Sequence, residues 1–346
     1  MVKTVRSTRS ASPTLDDVAR KAGVSTATVS RCLNTPDRVV ERTRLRVMDA
    51  VRALEYTPNF GAKVMAAQRT HTIGAVIPTM ENAIFARGLQ AFQDALHMRG
   101  YTLLVASSSY DSKVEMEQVR VLASRGADGL LLIGHDRDAE TLRYLEARNI
   151  PALVAWAHDP DAILPSIGFD NFAAMRSLAD MVLELGHRKI GMISAHTKTN
   201  DRARARVVAV QQSMVEKGLD PAQLTVIETE YGVETGAAAF QTLMGLPNPP
   251  TVIFCGNDVL AVGALRCANR LGISVPDDVS ITGFDDIELA RVVTPELTTV
   301  HVPHREMGKK AAEMLIDMVE GRDLVPTPAL DATIELRGSL TAVKDV

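Results

Sequence analysis

The hydrophobic and polar positions of residues 14–34 predict two short helices joined by a tight turn. Thr14 can cap the first helix, with Asp17 three residues later as its partner, and Ser25 can cap the second. Gly23 stands between them, where a turn needs a residue that tolerates a positive φ. The apolar positions that recur at helical spacing give each helix one buried side: Leu15, Val18, Ala19, Ala22, Val29, Cys32 and Leu33.

The exposed side of the second helix carries small and polar residues together with one arginine. This pattern is typical of a helix-turn-helix, whose backbone lies close to the major groove while an arginine reaches a guanine edge. An ordinary helical hairpin is the alternative. We expect Thr26, Ala27 and Arg31 to set the base preference. The residues expected mainly to hold the DNA backbone are Thr14, Ser25, Thr28, Ser30, Asn34 and Thr43.

A third helix is predicted over residues 41–55, and it completes a small three-helix core. Its apolar positions Leu45, Met48, Val51 and Leu54 are expected to face inward, and its arginines to face outward. Residues 56–69 then join this head to the rest of the chain. A proline at position 58 disfavours helix before it, and Asn59 can cap a short helix that follows.

From residue 71 onward the pattern alternates between apolar strands and amphipathic helices. Such an alternation predicts parallel sheets covered by helices on both faces. Strands are predicted at 72–78, 101–107, 129–134, 152–156, 189–194, 224–230, 251–256 and 280–285. Helices are predicted at 87–99, 113–125, 173–185, 204–217, 236–244, 259–271 and 306–318. Residues 71–167 and 168–300 resemble tandem halves, and ligands of open parallel sheets bind beyond the carboxyl ends of the strands. We therefore expect a cleft that closes on a small molecule.

Composition and charge narrow the function. Residues 1–69 hold 13 Lys and Arg against 6 Asp and Glu, a balance of +7, and the remaining 25 against 36 give −11, which together make the net −4. A basic head on an acidic body indicates a phosphate-binding module joined to a sensor. The three cysteines have no paired spacing, so we expect no disulfide, metal site or cofactor. The amino terminus lacks the apolar core of a secretory signal, and the apolar runs are too short for a membrane span, so a cytoplasmic, nucleoid-associated protein is expected.

Residues 14–34 and the run Tyr56-Thr57-Pro58-Asn59 closely resemble the headpiece of the lac-repressor family of bacterial transcription regulators, and the resemblance covers nearly all of the chain. It implies an α/β fold: an N-terminal all-α helix-turn-helix headpiece plus a periplasmic-binding-protein-like core of two doubly wound parallel-sheet subdomains. The implied segments are a disordered basic tail (1–13), a headpiece (14–57), a hinge helix or linker (58–70) and a core (71–340). Subdomain 1 is then 71–167 plus 302–328, and subdomain 2 is 168–300 plus 329–340.

The resemblance also implies how the hinge contacts DNA. In the family this segment folds against the operator and inserts a leucine between base pairs of the minor groove. Met65 occupies the leucine position, Ala62 faces the groove floor, and Tyr56 and Asn59 join the DNA-binding set. Phe60 and Gly61 depart from the family pattern, so a flexible linker remains the alternative.

Polar and aromatic residues at the predicted strand ends form the candidate effector site. Arg206, Asn257 and Asp285 match the family's effector-binding arginine, asparagine and aspartate, although Val207 and Val208 replace the usual residues beside the arginine. A structural salt bridge for Arg206 or Asp285, an Asx turn for Asn257, and a core role for Phe85 or Trp156 are the alternatives. The full predicted set is Asn82, Phe85, Trp156, Asp170, Arg202, Arg206, Tyr231, Asn257 and Asp285.

The predicted function is a ligand-responsive repressor that binds a palindromic operator as a homodimer. Two nearby arginines, and stretches around residues 169–171 and 115–118 that resemble the gluconate-repressor branch, suggest a sugar acid such as gluconate. A purine-responsive regulator is the alternative effector class, and a sugar-binding transport protein or a sugar-modifying enzyme the alternative function. No nucleotide, metalloprotease or hydrolase motif is present, so no catalytic residue is expected. Whether the effector induces or co-represses stays open.

Overall fold

The computed structural model describes residues 13–57, 69–81, 83–325 and 328–343. The chain divides into two compact units, residues 1–70 and 71–346. The predicted hinge residues Asn59, Ala62 and Met65, and the effector candidate Asn82, lie outside the described residues, as does nearly all of the predicted basic tail.

The first unit is a three-helix headpiece with the predicted turn and caps. Its helices are α1 Leu15–Ala22, α2 Thr26–Asn34 and α3 Glu41–Ala53. The Thr14 hydroxyl accepts from the Asp17 amide at 3.3 Å while Asp17 accepts from the Thr14 amide at 2.9 Å, a reciprocal pair that satisfies two free donors at the start of α1. Gly23 ends α1 at φ 62°, and Ser25 caps α2 through the Thr28 amide. The predicted helix-turn-helix is therefore confirmed.

The headpiece core is small and centres on three fully buried valines, Val18, Val29 and Val47, one from each helix. The prediction that Leu45 faces inward is wrong, because its side chain is 54% exposed. The buried stripe of α3 runs through Val47 and Ala50, and Leu45 lies two residues from Val47, about 200° around the helix. So small a core gives the headpiece little stability of its own.

The second unit has two α/β parts, and in each part strands alternate with helices. The elements of the first part are β1 Thr72–Ile77, α4 Ala86–Met98, β2 Thr102–Ser107, α5 Ser112–Ser124, β3 Gly129–Ile133, α6 Ala139–Ala147, β4 Ala152–Ala155 and β5 Ser166–Ile167. The elements of the second part are α7 Asn171–Glu184, β6 Ile190–Ser194, α8 Asp201–Glu216, β7 Thr225–Glu228, α9 Val233–Met244, β8 Val252–Cys255, α10 Asp258–Leu271, β9 Ser280–Asp285, α11 Leu289–Val292, β10 Thr298–His301, α12 His304–Glu320 and β11 Thr333–Glu335.

The strands form two separate sheets. The first has the order β2-β1-β3-β4-β5 and is parallel throughout, and the second has the order β11-β10-β9-β8-β6-β7 with only β11 antiparallel. Helix α12 follows β10 of the second sheet but packs against α4 and β3 of the first, and β11 then returns to the second. We call the first sheet with its covering helices the first subdomain, and the second sheet with its helices the second subdomain.

Most predicted strands and helices are present within a few residues. The pattern missed the helices α6 and α11 and the short strands β5, β10 and β11. Helix α11 and these strands have two to four residues and so carry almost no periodic signal. No helix in the described ranges is long and apolar enough to cross a membrane.

Candidate functional site

The headpiece presents the predicted base-reading residues on one surface. Ala27 and Arg31 are exposed and Thr26 is partly exposed on α2, because the apolar side of that helix is buried against α1 and α3. A hydroxyl pair joins Ser25 and Thr28 at 2.9 Å beside the helix start. The α2 amino terminus therefore offers backbone donors and small side chains, the arrangement that suits a phosphate or a base edge.

The remaining headpiece candidates fall into different environments. Thr14 caps α1, while Ser30 and Thr43 are partly exposed. Asn34 is the last residue of α2, and its side chain is outside the description. Tyr56 is only 9% exposed and packs in the headpiece core, so its main contacts are with the three helices.

Six of the predicted effector residues surround one cavity between the two subdomains. The second sheet and its helices contribute Arg202 and Arg206 from α8, Tyr231 after β7 and Asp285 at the end of β9. Phe85 and Trp156 enter from the first subdomain, where their rings meet edge to face with centroids 5.2 Å apart. We call this space the aromatic cavity.

The aromatic cavity also contains five residues that the sequence did not single out. They are Ile84, Tyr110, Phe169, Asn171 and Asn200. Asn171 donates to the Trp156 carbonyl at 3.0 Å, and its own side-chain oxygen has no partner among the described atoms. Tyr110 faces Tyr231 with ring centroids 5.9 Å apart. Five aromatic rings therefore enclose the polar groups of this cavity.

Two predicted effector residues do not line the cavity. Asp170 is the N-cap of α7 and accepts from the Phe172 and Ala173 amides at 2.9 and 3.0 Å. Asn257 is the N-cap of α10, accepts from the Leu260 amide at 2.9 Å and is fully buried. Both side chains thus satisfy helix starts in this structure.

Arg206 is a buried cation without an ion-pair partner in the described part of the chain. Its side chain donates to the Tyr231 hydroxyl at 3.1 Å, and its guanidinium lies 4.5 Å from the centre of the Phe284 ring. Its Nε finds no acceptor among the described residues, and the residue is only 5% exposed. A buried guanidinium with a free donor is costly unless a ligand supplies an acceptor.

The other charged groups of the cavity are more nearly balanced. Arg202 pairs with its neighbour Asp201 at 3.1 Å. Burial raises the pKa of Asp285 to about 7, although Arg206 and Arg202 act to lower it. Burial lowers the pKa of His304 to about 4, so its ring is neutral and its Nε2 donates to the Asp285 carbonyl at 3.1 Å. The proton on Asp285 therefore sets the net charge of the cavity near neutral pH.

Backbone strain concentrates at the same place. Tyr110, Trp156 and Asp285 have φ values of 59°, 61° and 103°, in the region that residues with a side chain rarely adopt. Each follows or ends a strand that points toward the cleft. Strain of this kind is held by the surrounding fold and is common where a ligand is positioned.

Direct bonds hold the two subdomains together beside the cavity. Arg204, on the outer side of α8, forms a two-pronged ion pair with Asp136 after β3, at 2.8 and 2.7 Å. Asp201 accepts from the His135 amide at 2.6 Å. A side chain at Gly134 would overlap the Arg202 guanidinium, so glycine there permits this close approach. The structure therefore has a closed cleft.

Comparison with known proteins agrees with both units. Residues 14–59 match the family described as bacterial regulatory proteins, lacI family, and residues 179–340 match a periplasmic binding protein-like domain. The crystal structure of the lac repressor dimer bound to operator and the anti-inducer ONPF superposes with a TM-score of 0.84 at 25% identity, covering 94% of this chain and 98% of that one.

Two curated relatives match over most of their length. The HTH-type transcriptional repressor CytR of Escherichia coli K12 is 33% identical over 332 residues, 95% of this chain and 97% of its own. The HTH-type transcriptional repressor PurR of Shigella sonnei is 33% identical over 312 residues, 88% of this chain and 90% of its own. With a helix-turn-helix headpiece and a two-subdomain ligand cleft, the chain belongs to the lacI family of bacterial regulatory proteins and is a ligand-responsive transcriptional repressor.

Proposed function

We propose that this repressor acts as a homodimer on a two-fold operator and that its effector binds in the aromatic cavity through an acidic group. One headpiece buries too little surface to select a genomic site alone, so two headpieces on matched half-sites are needed. The similar lac repressor structure is described as a dimer bound to operator, which supports the same arrangement here.

The first subdomain offers a surface for the dimer contact. Strand β2 is the edge of its sheet, and Val105 on it is 40% exposed. Met98 at the end of α4 and Val121 on α5 are 83% and 41% exposed close by in the chain. An apolar sheet edge in water invites pairing, and a second copy of this chain can cover it. Helix α12 is less favoured as the dimer contact, since it already packs against α4 and β3.

One observation supports an acidic effector: among the described residues, the buried Arg206 has no acceptor for its Nε donor and no carboxylate within ion-pair distance. A ligand carboxylate can accept two parallel bonds from a guanidinium, and such charge-assisted bonds are stronger than neutral ones. The hydroxyls of a sugar acid such as gluconate can then use Asp285, Asn171 and Tyr231. Occupancy of the cleft changes DNA affinity only as far as the ligand prefers one closure over the other.

A purine is the second candidate, and the aromatic walls favour it. Phe85, Tyr110, Trp156, Phe169 and Tyr231 surround a narrow space, and a flat ring can stack on these aromatic faces where a flexible chain cannot. The Trp156 Nε1 donor and the Asn171 side-chain oxygen have no partner within the described ranges, and they can pair with the acceptor and donor on a heterocycle edge.

Titration calorimetry on the full chain distinguishes these effectors. We expect heat from gluconate and related acids and none from glucose or other matched neutral sugars. Binding of hypoxanthine or guanine without binding of acids supports the purine candidate. Binding of neutral sugars alone contradicts both. A gel-shift assay with random operator libraries, run with and without the bound compound, then measures whether the ligand strengthens or weakens DNA binding.

A further inference from the structure

A second cavity adjoins the aromatic cavity in the closed cleft. Tyr110 and Arg202 border both spaces, and Ser112, Asp138 and Lys198 belong only to the second. It lies beyond the carboxyl ends of β1, β2 and β3, the edge at which parallel sheets bind ligands. We call this second space the polar cavity.

The space that is open to water differs more than tenfold between the two cavities. The centre of a water molecule can occupy about 20 Å³ of the aromatic cavity but about 250 Å³ of the polar cavity. Because one water needs about 10–15 Å³ of such space, the closed aromatic cavity holds one or two waters, and a head group enters it only where the surrounding side chains move apart. A ligand of effector size in this closed cleft must therefore extend past Tyr110 into the polar cavity.

Several charged side chains that line the polar cavity already form ion pairs. Glu115 and Arg137 form an ion pair at 3.3 Å with side chains only 10% and 2% exposed, and Arg137 also donates to the Gly134 carbonyl at 2.6 Å. Five carboxylates and three cations line the space, and a fourth cation, Arg204, pairs with the carboxylate of Asp136. An excess of carboxylates favours a ligand that donates hydrogen bonds, and it repels a second anionic group.

We propose that the effector has two parts, a compact head group in the aromatic cavity and a neutral, hydroxyl-rich ring in the polar cavity. The inference rests on the proposed function, since it extends the same site. We expect the site to reject a phosphate on the extension, because the phosphate places negative charge beside Asp138 and its neighbours.

The test compares each head group with and without a hydroxylated ring. Calorimetry on the full chain uses gluconate against lactobionate, and hypoxanthine against inosine and inosine monophosphate. For the head group that binds, we expect the added ring to tighten binding about tenfold or more, because it makes more polar contacts. In the purine series, the phosphate of inosine monophosphate should reverse that gain, because it is repelled by the carboxylates.

Two variants of one helix locate the effect. Ser112 lines the polar cavity at the start of α5, whereas Ser124 is exposed at its end. Ser112→Phe should fill the polar cavity and abolish the tighter binding that the ring provides, while the dissociation constant of the head group alone changes less than about threefold. Ser124→Phe should change neither affinity. Head-group binding by Ser112→Phe also shows that the variant is folded.

The outcomes separate the two proposals. If a head group binds and its ring-bearing form binds no tighter, or if Ser112→Phe weakens both forms equally, the two-part effector is wrong and the proposed function stands. If none of these compounds binds, the proposed effector classes and this inference both fail.

Discussion

Helices α2 and α8 each begin with a capped turn and carry arginine toward a binding surface, yet they expose it differently. Arg31 on α2 is exposed to water, whereas Arg202 and Arg206 on α8 are 8% and 5% exposed. An exposed arginine exchanges its hydration water for a contact with DNA. The net gain in binding free energy is therefore modest, and it depends on which base the arginine meets. A buried arginine has already lost its hydration, so its free energy depends strongly on a partner. The comparison predicts that loss of a buried arginine has the larger effect.

The largest effect is expected at Arg206. Arg206→Met keeps a long apolar side chain but removes the donors, and it should weaken effector binding by about 100-fold or more, because a charge-assisted pair in a buried site is lost. Titration calorimetry measures the loss. Arg176→Met, which removes an exposed arginine paired with Glu216, is the matched control and should bind normally. A variant that binds the effector as tightly as the original chain removes Arg206 from the site.

The next effect is expected at the exposed arginine. Arg31→Ala should cost about 1–3 kcal/mol of operator binding and relax selectivity at one base pair in each half-site. Arg46→Ala, on the exposed side of α3, should instead weaken all sequences alike and reduce the salt dependence. Gel shifts on a set of single-base operator variants measure both. Equal losses on every operator for Arg31→Ala contradict its reading of a base.

A smaller effect follows from the carboxyl group of Asp285. Its pKa of about 7 means that an acidic effector meets a neutral group below pH 7 and a repelling carboxylate above it. Affinity for gluconate-like acids should therefore fall as pH rises through 7, by up to about tenfold per unit, and Asp285→Asn should flatten the profile. Calorimetry between pH 6 and pH 8 measures it. A flat profile in the original chain contradicts the charge assigned to this site.

The raised pKa of Asp285 also makes the free energy of unfolding depend on pH. The fold raises the pKa of Asp285 above its ordinary value of 3.8, so the folded chain holds this proton more tightly than the unfolded chain. The stabilising contribution of this group is complete below about pH 3.8 and is lost as pH rises through about 7. His304 acts in the opposite direction, since burial lowers its pKa to about 4 and its protonation destabilises the fold in acid.

Sequence alone predicted the residues that end strands, because parallel strands bring their carboxyl ends together. Phe85, Trp156, Tyr231 and Asp285 follow from this rule. The rule does not decide between neighbours at a helix start. Asp170 turns back to cap α7, while the adjacent Asn171 faces the cavity, and only the backbone angles of that turn distinguish them.

Tyr110 shows a second limit of the sequence. It lies in a loop of serines after an edge strand, and its position in the cleft depends on a positive φ that no pattern requires of a tyrosine. The misplaced Leu45 is a third case, since several apolar positions of α3 compete for one narrow buried stripe.

The smallest effect is expected outside the aromatic cavity, at the ion pair between Arg204 and Asp136, whose carboxylate borders the polar cavity. Arg204 lies on the same helix as the two buried arginines but faces water, and its side chain is 45% exposed. Because solvent weakens such a pair, Asp136→Asn or Arg204→Gln should loosen the closed cleft and weaken effector binding only about two- to fivefold. The double exchange Asp136→Arg with Arg204→Asp should recover most of that loss, because the bond across the subdomains is restored with reversed charges. Effector titrations on the original chain and the three variants measure the recovery, and an exchange variant that binds no better than either neutralised variant contradicts a role in closure.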